Sequence, residues 1–474
     1  YKTFIYVNIY LLIKITVLMI IHNTLGQRDE VFKEINKNRI NIFVCGPTVQ
    51  DDFHIGHART NIFFDVIVKF LRARGYSVFY LQNITDIDDK IIRRAKDENK
   101  SPGEIAEYYY NEYLRLMNIL RVNSVTYYAR ATLYIKEIIS QIRRMINKGY
   151  AYETSDGVYF NVRKFKDYGK LSNQNLNEII ENARGVINED KKHPEDFALW
   201  KKMKPGEPYW ESPWGKGRPG WHIEDTAITE TFFGYEYDIH GGGSDLIFPH
   251  HEAEIAQMRS ISNRKYLARY WIHTGMVNVN KEKMSKSLKN YIKIKDILKY
   301  YSPEVLRFAL INSNYNTSIE YSLELMNQSR ESIDKINTIY NKLKLINSDN
   351  GSFDINYDAY INSFNNIMEN NFDTRRLITE LLEFVGVLNK NYENISYNTA
   401  QKALKILDYL NSFLDILYGS KKINTDIIDS LILIRNELRK NKFYDLSDLI
   451  RKSLQDAGIY IEDNGDKTIW YAKD

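Results

Sequence analysis

The chain has 474 residues, and its 65 Lys and Arg stand against 61 Asp and Glu, for a formal net charge of +4. Such a balance excludes a global positive field as the basis of nucleic-acid binding, so any such contact must come from local patches. The hydrophobic share of 43% is sufficient for packed cores, and the length suggests several domains. The single cysteine, Cys45, excludes an intramolecular disulfide and favours a reducing, cytoplasmic setting.

The N-terminal segment is apolar but lacks the marks of a targeting signal. Residues 3–21 are largely apolar, with polar interruptions and no small-residue cleavage site after them. The chain begins with Tyr1, whereas Met19 directly precedes a segment typical of a first strand. We interpret residues 1–18 as an upstream extension foreign to the native protein and expect no membrane association. A membrane anchor is the alternative that stays open.

The next segment predicts a βαβ unit. Residues 41–45 form a short apolar run that ends in a Gly-Pro turn, as a strand followed by a loop would. Apolar residues then recur at helical spacing over 56–74, Gly75 can cap the helix end, and residues 76–84 are again rich in β-formers. This order favours an α/β protein with a Rossmann-type, doubly wound parallel sheet.

Composition divides the rest of the chain into further segments. We expect one large domain over residues 19–280, with an insertion at about 150–220, where Pro, Gly and Trp are dense. A loop and helical linker should follow over 281–320, and a helical bundle over 321–420. A small C-terminal portion then spans 421–474.

The run His54-Ile55-Gly56-His57 falls at the predicted turn from strand to helix, where such folds bind ligands. Gly56 allows the backbone to come close to a ligand, and the helix N-terminus favours anions. His54 and His57 can donate hydrogen bonds to phosphate oxygens as charge builds during attack on the α-phosphate. Taken alone, the run is equally compatible with two histidines in an ordinary turn.

A second run, Lys283-Met284-Ser285-Lys286-Ser287, lies far downstream in a polar loop. Lys283 and Lys286 can clamp a triphosphate and neutralise the departing pyrophosphate. Such charge runs are usually solvated surface. The two runs in this order nevertheless match the ATP-handling signatures of the class I aminoacyl-tRNA synthetases, which indicates an enzyme that activates an amino acid.

A third group of residues has the chemistry of a metal site. His250 and Glu254 are four residues apart, so on a helix they share one face and can bind one cation. Residues at this spacing are more often simply on the surface. Cys45, at the end of a neighbouring strand, adds a thiol and turns the group into a zinc-type site, and Asp225 could face the same ion.

The segment before His250 contains a glycine-rich loop. Gly241-Gly242-Gly243 allows close backbone approach to a nucleotide, and Asp245 could accept a hydrogen bond from a ribose hydroxyl or a substrate amine. Trp221 could form a wall of the amino-acid pocket, with a buried structural tryptophan as the alternative.

Together these runs resemble the cysteinyl-tRNA synthetases, from about Ile20 to the C-terminus. The resemblance is carried by the runs Val44–Val49, His54–His57, Asn83–Lys90, Gly217–Glu224, His240–Asp245, Phe248–Glu254, Lys283–Ser287 and Thr468–Trp470. It implies a class I catalytic domain, a helical bundle that contacts tRNA, and a C-terminal portion that reads the anticodon. ATP, L-cysteine and tRNA(Cys) are then the partners of a cytoplasmic monomer, and Thr85 lines the amino-acid pocket beside Trp221.

The resemblance also implies one zinc ion per chain, bound directly to the substrate thiolate, and Mg²⁺ accompanying ATP. The family's zinc ligands are two cysteines, one histidine and one glutamate, and Cys45, His250 and Glu254 match three of them. Asp225 stands where the family has the other cysteine. Because a carboxylate is a harder ligand than a thiolate, we expect weaker zinc retention or tolerance of other divalent ions. Glu224 or water is the alternative fourth ligand.

Two other functions are compatible with parts of the pattern. A related enzyme could use the same adenylate to ligate cysteine to an amino-sugar, but the tRNA-binding C-terminal half argues against it. A non-catalytic tRNA-binding paralogue would not need the ATP motifs, which are intact here.

Overall fold

The computed structural model describes residues 18–182, 190–279, 282–284, 291–418, 425–464 and 467–472. Lys286 and residues 1–17 of the interpreted extension lie outside them. Within the described ranges, no helix combines the length and the apolar character that a membrane span needs.

The first part of the chain alternates strands and helices. In chain order the elements are β1 (Ile20–Asn23), β2 (Arg28–Val31), β3 (Arg39–Val44), α1 (Ile55–Ala73), β4 (Ser77–Ile84), α2 (Asp89–Asp97), α3 (Pro102–Ile119), β5 (Tyr127–Arg130) and α4 (Ile135–Asn147). A second group follows: β6 (Ala151–Glu153), β7 (Gly157–Phe160), α5 (Leu176–Asn182), β8 (Phe197–Lys202) and β9 (Gly217–Pro219). The strands of this second group form their own antiparallel sheet in the order β6-β7-β8-β9.

The chain then returns to the first sheet. The elements here are α6 (Ile223–Phe233), β10 (Tyr237–Gly243), α7 (Glu252–Ile261), β11 (Ala268–Thr274), β12 (Val277–Val279) and β13 (Glu282–Lys283). The main sheet has the order β11-β10-β3-β4-β5, and every neighbouring pair in it is parallel. The predicted Rossmann-type α/β fold is confirmed.

The strand order defines where a ligand should bind. From β3 the chain moves outward to β4 and β5, whereas β10 and β11 extend in the opposite direction. The crevice between β3 and β10, outside their carboxyl ends, is therefore the switch point at which doubly wound sheets bind ligands. Cys45 lies directly after β3 there, and its amide donates to the Gly241 carbonyl on β10 at 3.0 Å.

Local sequence explains the elements beside this crevice. Residues 40–44 of β3 are all buried, as the continuous apolar run of a strand covered on both faces requires. His54 caps the N-terminus of α1, and the helix ends before Gly75, whose φ of 90° suits the left-handed region open to glycine.

The remaining elements are mainly helical. They are α8 (Ile294–Ile297), α9 (Pro303–Ile311), β14 (Ile319–Glu320), α10 (Leu323–Lys344), α11 (Tyr357–Glu369), α12 (Thr374–Lys390), α13 (Tyr397–Leu414), α14 (Thr425–Lys440), α15 (Tyr444–Asp456), β15 (Ile459–Asn464) and β16 (Lys467–Ala472). Helices α10 to α13 share one hydrophobic core with α1. The hairpin β15–β16 packs with α14 and α15 around a separate small core.

Buried ion pairs join α1 to the helices that follow the sheet. Asp65 on α1 is fully buried and accepts hydrogen bonds from Arg307 on α9 at 2.9 Å and from Lys69 at 2.8 Å. Lys69 also donates to Asp415, which caps α13, at 2.5 Å. Because breaking a buried pair leaves an uncompensated charge, this network fixes the bundle relative to the helix that starts at the site.

Candidate active site

A cavity of about 370 Å³ opens at the carboxyl ends of β3 and β10. It is lined by eight of the residues predicted from the sequence: Cys45, His54, Gly56, His57, Trp221, Gly243, Asp245 and His250. These residues are up to 205 positions apart in the chain, so the fold collects most of the predicted site on one surface.

His54 has a structural role at the turn as well as a predicted chemical one. Its Nδ1 accepts from the backbone amides of Gly56 at 3.1 Å and His57 at 3.4 Å, which makes it the N-cap of α1. Since Nδ1 accepts, the ring proton of neutral His54 is on Nε2, where it remains available to a ligand. The rings of His54 and His57 stack, with centroids 3.6 Å apart.

Both histidines are uncharged at neutral pH. Burial lowers the pKa of His54 to about 4. Burial, together with nearby His54 and Lys90, lowers the pKa of His57 well below its usual value. The turn therefore offers neutral N–H donors to an anionic ligand, and positive charge has to come from elsewhere.

Residues 292–295, which follow the lysine-rich run Lys283–Ser287, are hydrogen-bonded to the turn that contains His54 and to the residues just before it. The Ile55 amide donates to the Ile292 carbonyl at 3.1 Å, and the Ile294 amide donates to the Phe53 carbonyl at 3.0 Å. Lys293 and Lys295 both donate to Asp52, at 2.5 and 2.8 Å.

Asp52 is held as a carboxylate by these two lysines. Although burial opposes ionisation, Lys293 and Lys295 together hold the pKa of Asp52 below its usual range. Lys283, the first residue of the lysine-rich run, is the last residue of the short strand β13, which pairs with β12. The described residues thus anchor the chain before and after 285–290, a stretch that includes Lys286 of the predicted ATP motif.

The predicted metal ligands form a compact cluster, called here the outer ligand set: Cys45, Asp225, His250 and Glu254. Their ligand atoms lie within 4.8 Å of one another. Asp225 Oδ2 is 3.4 Å from Cys45 Sγ and 2.9 Å from His250 Nε2. His250 Nε2 is 3.2 Å from Glu254 Oε1, as their spacing in the sequence predicts.

The electrostatics of the outer ligand set call for a cation. Asp225 and Glu254 are both fully buried, and each has a carboxylate oxygen with no hydrogen-bond partner among the described residues. Burial, Glu254 and Asp225 raise the pKa of the Cys45 thiol well above its usual value, and burial and Asp225 raise that of Glu254. A divalent ion would supply the missing charge and partners, so the donor set fits zinc.

Three other predicted site residues, Thr85, Gly241 and Gly242, are not part of the cavity lining. Thr85 is buried, and its hydroxyl donates to Glu224 at 2.9 Å. A Cβ on Gly241 would lie 2.1 Å from the Phe64 ring, and one on Gly242 would lie 2.8 Å from the His251 ring. Both glycines thus have packing reasons to be there, and their predicted contact with ATP stays a prediction, as does that of Lys286.

Sequence reasoning missed a group of buried histidines behind the outer ligand set. His251 Nε2 is 3.1 Å from Cys45 Sγ, and His240 Nε2 is 3.6 Å from it. On the other side, His222 Nδ1 contacts His250 Nδ1 at 2.7 Å. His240 stands directly before the three glycines, and His251 directly follows His250. Counting every histidine in these two runs would therefore have identified both residues from the sequence.

Comparison with known proteins defines the class. A family model described as the class I tRNA synthetase (C) catalytic domain matches residues 31–331. The methionyl-tRNA synthetase of Mycobacterium tuberculosis, solved with methionyl-adenylate, has a TM-score of 0.60 at 14% identity and covers 79% of this chain and 89% of its own. For the LeuRS of Agrobacterium radiobacter K84 the TM-score is 0.61 at 10% identity, covering 81% of this chain and 85% of that one. The fold and the family match together are those of a class I tRNA synthetase.

Sequence relatives narrow this class to one family. The cysteine–tRNA ligase of Thermoplasma volcanium is 59% identical over 453 residues, which are 96% of this chain and 100% of the relative. That of Thermoplasma acidophilum is 58% identical, covering 95% of this chain and 99% of its own. The chain belongs to the cysteine–tRNA ligases, and it is an enzyme.

Proposed function

We propose that this enzyme activates L-cysteine with ATP in the cavity beside the outer ligand set and then transfers it to tRNA(Cys). A carboxylate oxygen of cysteine attacks the α-phosphorus of ATP, the bond to the β-phosphate oxygen breaks, and pyrophosphate leaves with its Mg²⁺. A hydroxyl of the terminal tRNA ribose then attacks the carbonyl carbon of the adenylate, and AMP leaves.

One observation carries the proposal: the histidine turn and the outer ligand set open onto the same cavity. His54 and His57 line one part of it, and Cys45 and His250 line another. A substrate with its sulfur at the ligand set and its carboxylate toward the turn would place the reacting oxygen where phosphate donors are available.

The residues around the cavity have distinct tasks in this scheme. His54 and His57 donate neutral N–H groups to phosphate oxygens as charge builds in the transition state. Lys283 and Lys286 supply the positive charge that those histidines lack and neutralise pyrophosphate. Asp245 accepts from the ribose or from the substrate amine, as its position in the cavity lining allows.

Trp221 forms a wall of the amino-acid pocket. Its ring stacks on His250 with centroids 4.1 Å apart, and the residue lines the cavity and is 37% exposed, so part of the ring remains accessible to a ligand. When bound, zinc would hold the substrate sulfur as a thiolate and reject the hydroxyl of serine, which shape alone separates poorly. Cys45, Asp225, His250 and Glu254 would hold that ion.

The tRNA would lie along the helical half of the chain. We assign the acceptor arm to the catalytic domain, further contacts to the bundle α10–α13, and anticodon reading to the portion after residue 421. The single cysteine, unable to form an internal disulfide, supports a cytoplasmic enzyme. We propose a monomer, which light scattering of the purified protein would test.

Exchange of pyrophosphate into ATP tests the proposed reaction. We expect exchange with L-cysteine, at least about a thousandfold lower kcat/KM with L-serine, and loss of both after removal of the metal, restored by zinc. The metal content of each sample is measured beside the rate. Exchange that persists at full rate in protein free of metal would contradict the role of the ion, and no exchange with any amino acid would contradict the activity.

Asp52→Asn tests the anchor of the lysine-rich segment. The variant removes the carboxylate that binds Lys293 and Lys295, so we expect kcat/KM for ATP in the exchange reaction to fall about tenfold, the loss of roughly 1–2 kcal/mol from two partly exposed pairs. Asp296→Asn is the matched control, because Asp296 pairs at 2.7 Å with exposed Lys299 in the same segment. Equal effects of the two substitutions would contradict a specific role for Asp52.

A further inference from the structure

Three imidazoles, not one, direct Nε2 at the half-buried Cys45 thiol and the buried carboxylates beside it. Besides His250 of the outer ligand set, His251 Nε2 lies 3.1 Å from Cys45 Sγ. His240 Nε2 lies 3.6 Å from Cys45 Sγ and 3.7 Å from Glu254 Oε2. Both of these histidines are fully buried.

The remote nitrogen of each additional histidine is already occupied. His251 Nδ1 is 2.8 Å from His273 Nε2, and His240 Nδ1 is 2.7 Å from the Tyr237 hydroxyl. A partner on one ring nitrogen that orients the other toward a shared point is the arrangement typical of metal-ligating histidine.

Glu254 divides its two oxygens between two groups of ligands. Oε1 lies 3.2 Å from His250 Nε2, whereas Oε2 faces His240 and has no hydrogen-bond partner among the described residues. A tetrahedral site with bonds of about 2.0–2.3 Å has edges of roughly 3.3–3.7 Å, close to the distances among these atoms. The ligand atoms of Cys45, His240, His251 and Glu254 all lie within 4.8 Å of one another, as those of the outer ligand set do.

We propose that Cys45, His240, His251 and Glu254 form a second metal position, the inner ligand set, which holds the ion when no substrate thiolate is present. The two sets share Cys45 and Glu254, so one ion occupies one or the other. Cys45 and His250 line the cavity, whereas His240 and His251 lie behind them. The part played by the substrate rests on the proposed function.

The aspartate at position 225 is the reason that the inner ligand set competes with the outer ligand set for the ion. With aspartate at position 225, the outer ligand set offers one sulfur, one nitrogen and two oxygens. The inner ligand set offers one sulfur, two nitrogens and one oxygen, which a thiophilic, borderline ion such as zinc prefers. A substrate thiolate adds a second sulfur only at the outer position, so its binding draws the ion toward the cavity.

X-ray absorption at the zinc edge counts the ligands of each position directly. For the full chain with one equivalent of zinc and no substrate, we expect one sulfur and two imidazoles. After addition of L-cysteine without ATP, we expect two sulfurs and one imidazole. One imidazole in the absence of substrate would overturn the proposal, and this measurement needs no variant.

Two histidine variants assign the scatterers. His251→Gln should reduce the imidazole count without substrate to one and weaken zinc binding about 10–100-fold. His222→Gln is the matched control, because His222 contacts His250 of the outer ligand set at 2.7 Å and is a member of neither set, so this variant should keep two imidazoles. Two imidazoles that persist in His251→Gln would overturn the inner ligand set.

The same samples separate this proposal from the proposed function. Pyrophosphate exchange is measured on each preparation in parallel with the ligand count. A wild-type protein that shows the expected two imidazoles but no cysteine-dependent exchange would contradict the proposed reaction and still support the inner ligand set. Cysteine-dependent exchange in a protein that shows a single imidazole without substrate would support the proposed reaction and contradict the inner ligand set.

Discussion

Replacing Cys45 by Ala is expected to lower kcat/KM for cysteine-dependent pyrophosphate exchange by about a thousandfold or more, roughly 4 kcal/mol of transition-state stabilisation. Cys45 is the only thiol of the chain and belongs to both groups of possible metal ligands. No neighbouring side chain replaces its sulfur, so the variant should also lose zinc. Exchange rates and metal content are measured on the same preparation.

The fold of the Cys45→Ala variant provides the control. Burial already raises the pKa of Cys45, so the thiol of the metal-free protein is uncharged, and its removal should change the melting temperature of that protein little. Zinc should raise the melting temperature of the wild type and leave that of the variant unchanged. A variant that keeps one equivalent of zinc and the wild-type exchange rate would contradict the assignment of Cys45 as a ligand.

The parallel sheet could be predicted because its signals are local. The apolar run before Cys45, the helical periodicity after Gly56 and the glycine at 75 all lie within one βαβ unit. The same reasoning could not place Ile20–Asn23. This segment has the composition of a strand, as predicted, but it pairs antiparallel with Arg28–Val31 in a separate two-stranded sheet. Partner choice depends on tertiary packing that composition does not encode.

The candidate metal site was predictable only in part, for a geometric reason. Helical spacing relates His250 to Glu254, and on an ideal helix His251 would point about 100° away from its neighbour. The backbone of residues 247–251 is instead kinked, with extended angles at Phe248 (φ −132°, ψ 133°), and α7 begins only at Glu252. His250 and His251 can therefore both reach the region of Cys45, although helical periodicity predicts that only one of them does.

The glycine-rich loop Gly241–Gly243 was predicted from the sequence, but the reason for two of its glycines was not. Its glycines were predicted to bring the backbone near a nucleotide, and Gly243 does line the cavity. Gly241 instead leaves room for the Phe64 ring of α1, and Gly242 leaves room for His251. The sequence shows that a side chain is absent, but the reason for its absence is a contact with residues distant in the chain.

Gly46→Ala is expected to destabilise the catalytic domain by about 3 kcal/mol and to abolish cysteine activation. A Cβ at this position would lie 1.8 Å from the backbone oxygen of Asn83 at the end of β4. The Gly46 amide also donates to the Asn83 side chain at 2.5 Å, so the two strand ends are held together there. Since a backbone carbonyl cannot rotate away, β3 and β4 would have to separate, and Cys45 would move with β3.

Thermal melting and exchange assays measure both effects of Gly46→Ala, and a fall in melting temperature of roughly 6–12 °C is expected for a domain of this size. Gly386→Ala is the matched control. Gly386 lies inside α12, and a Cβ there meets no atom within 4 Å. Alanine should stabilise that helix by about 0.5–1 kcal/mol and leave exchange unchanged. If Gly46→Ala melted like the wild type and kept its zinc and activity, the close approach of β3 and β4 would not be what positions Cys45.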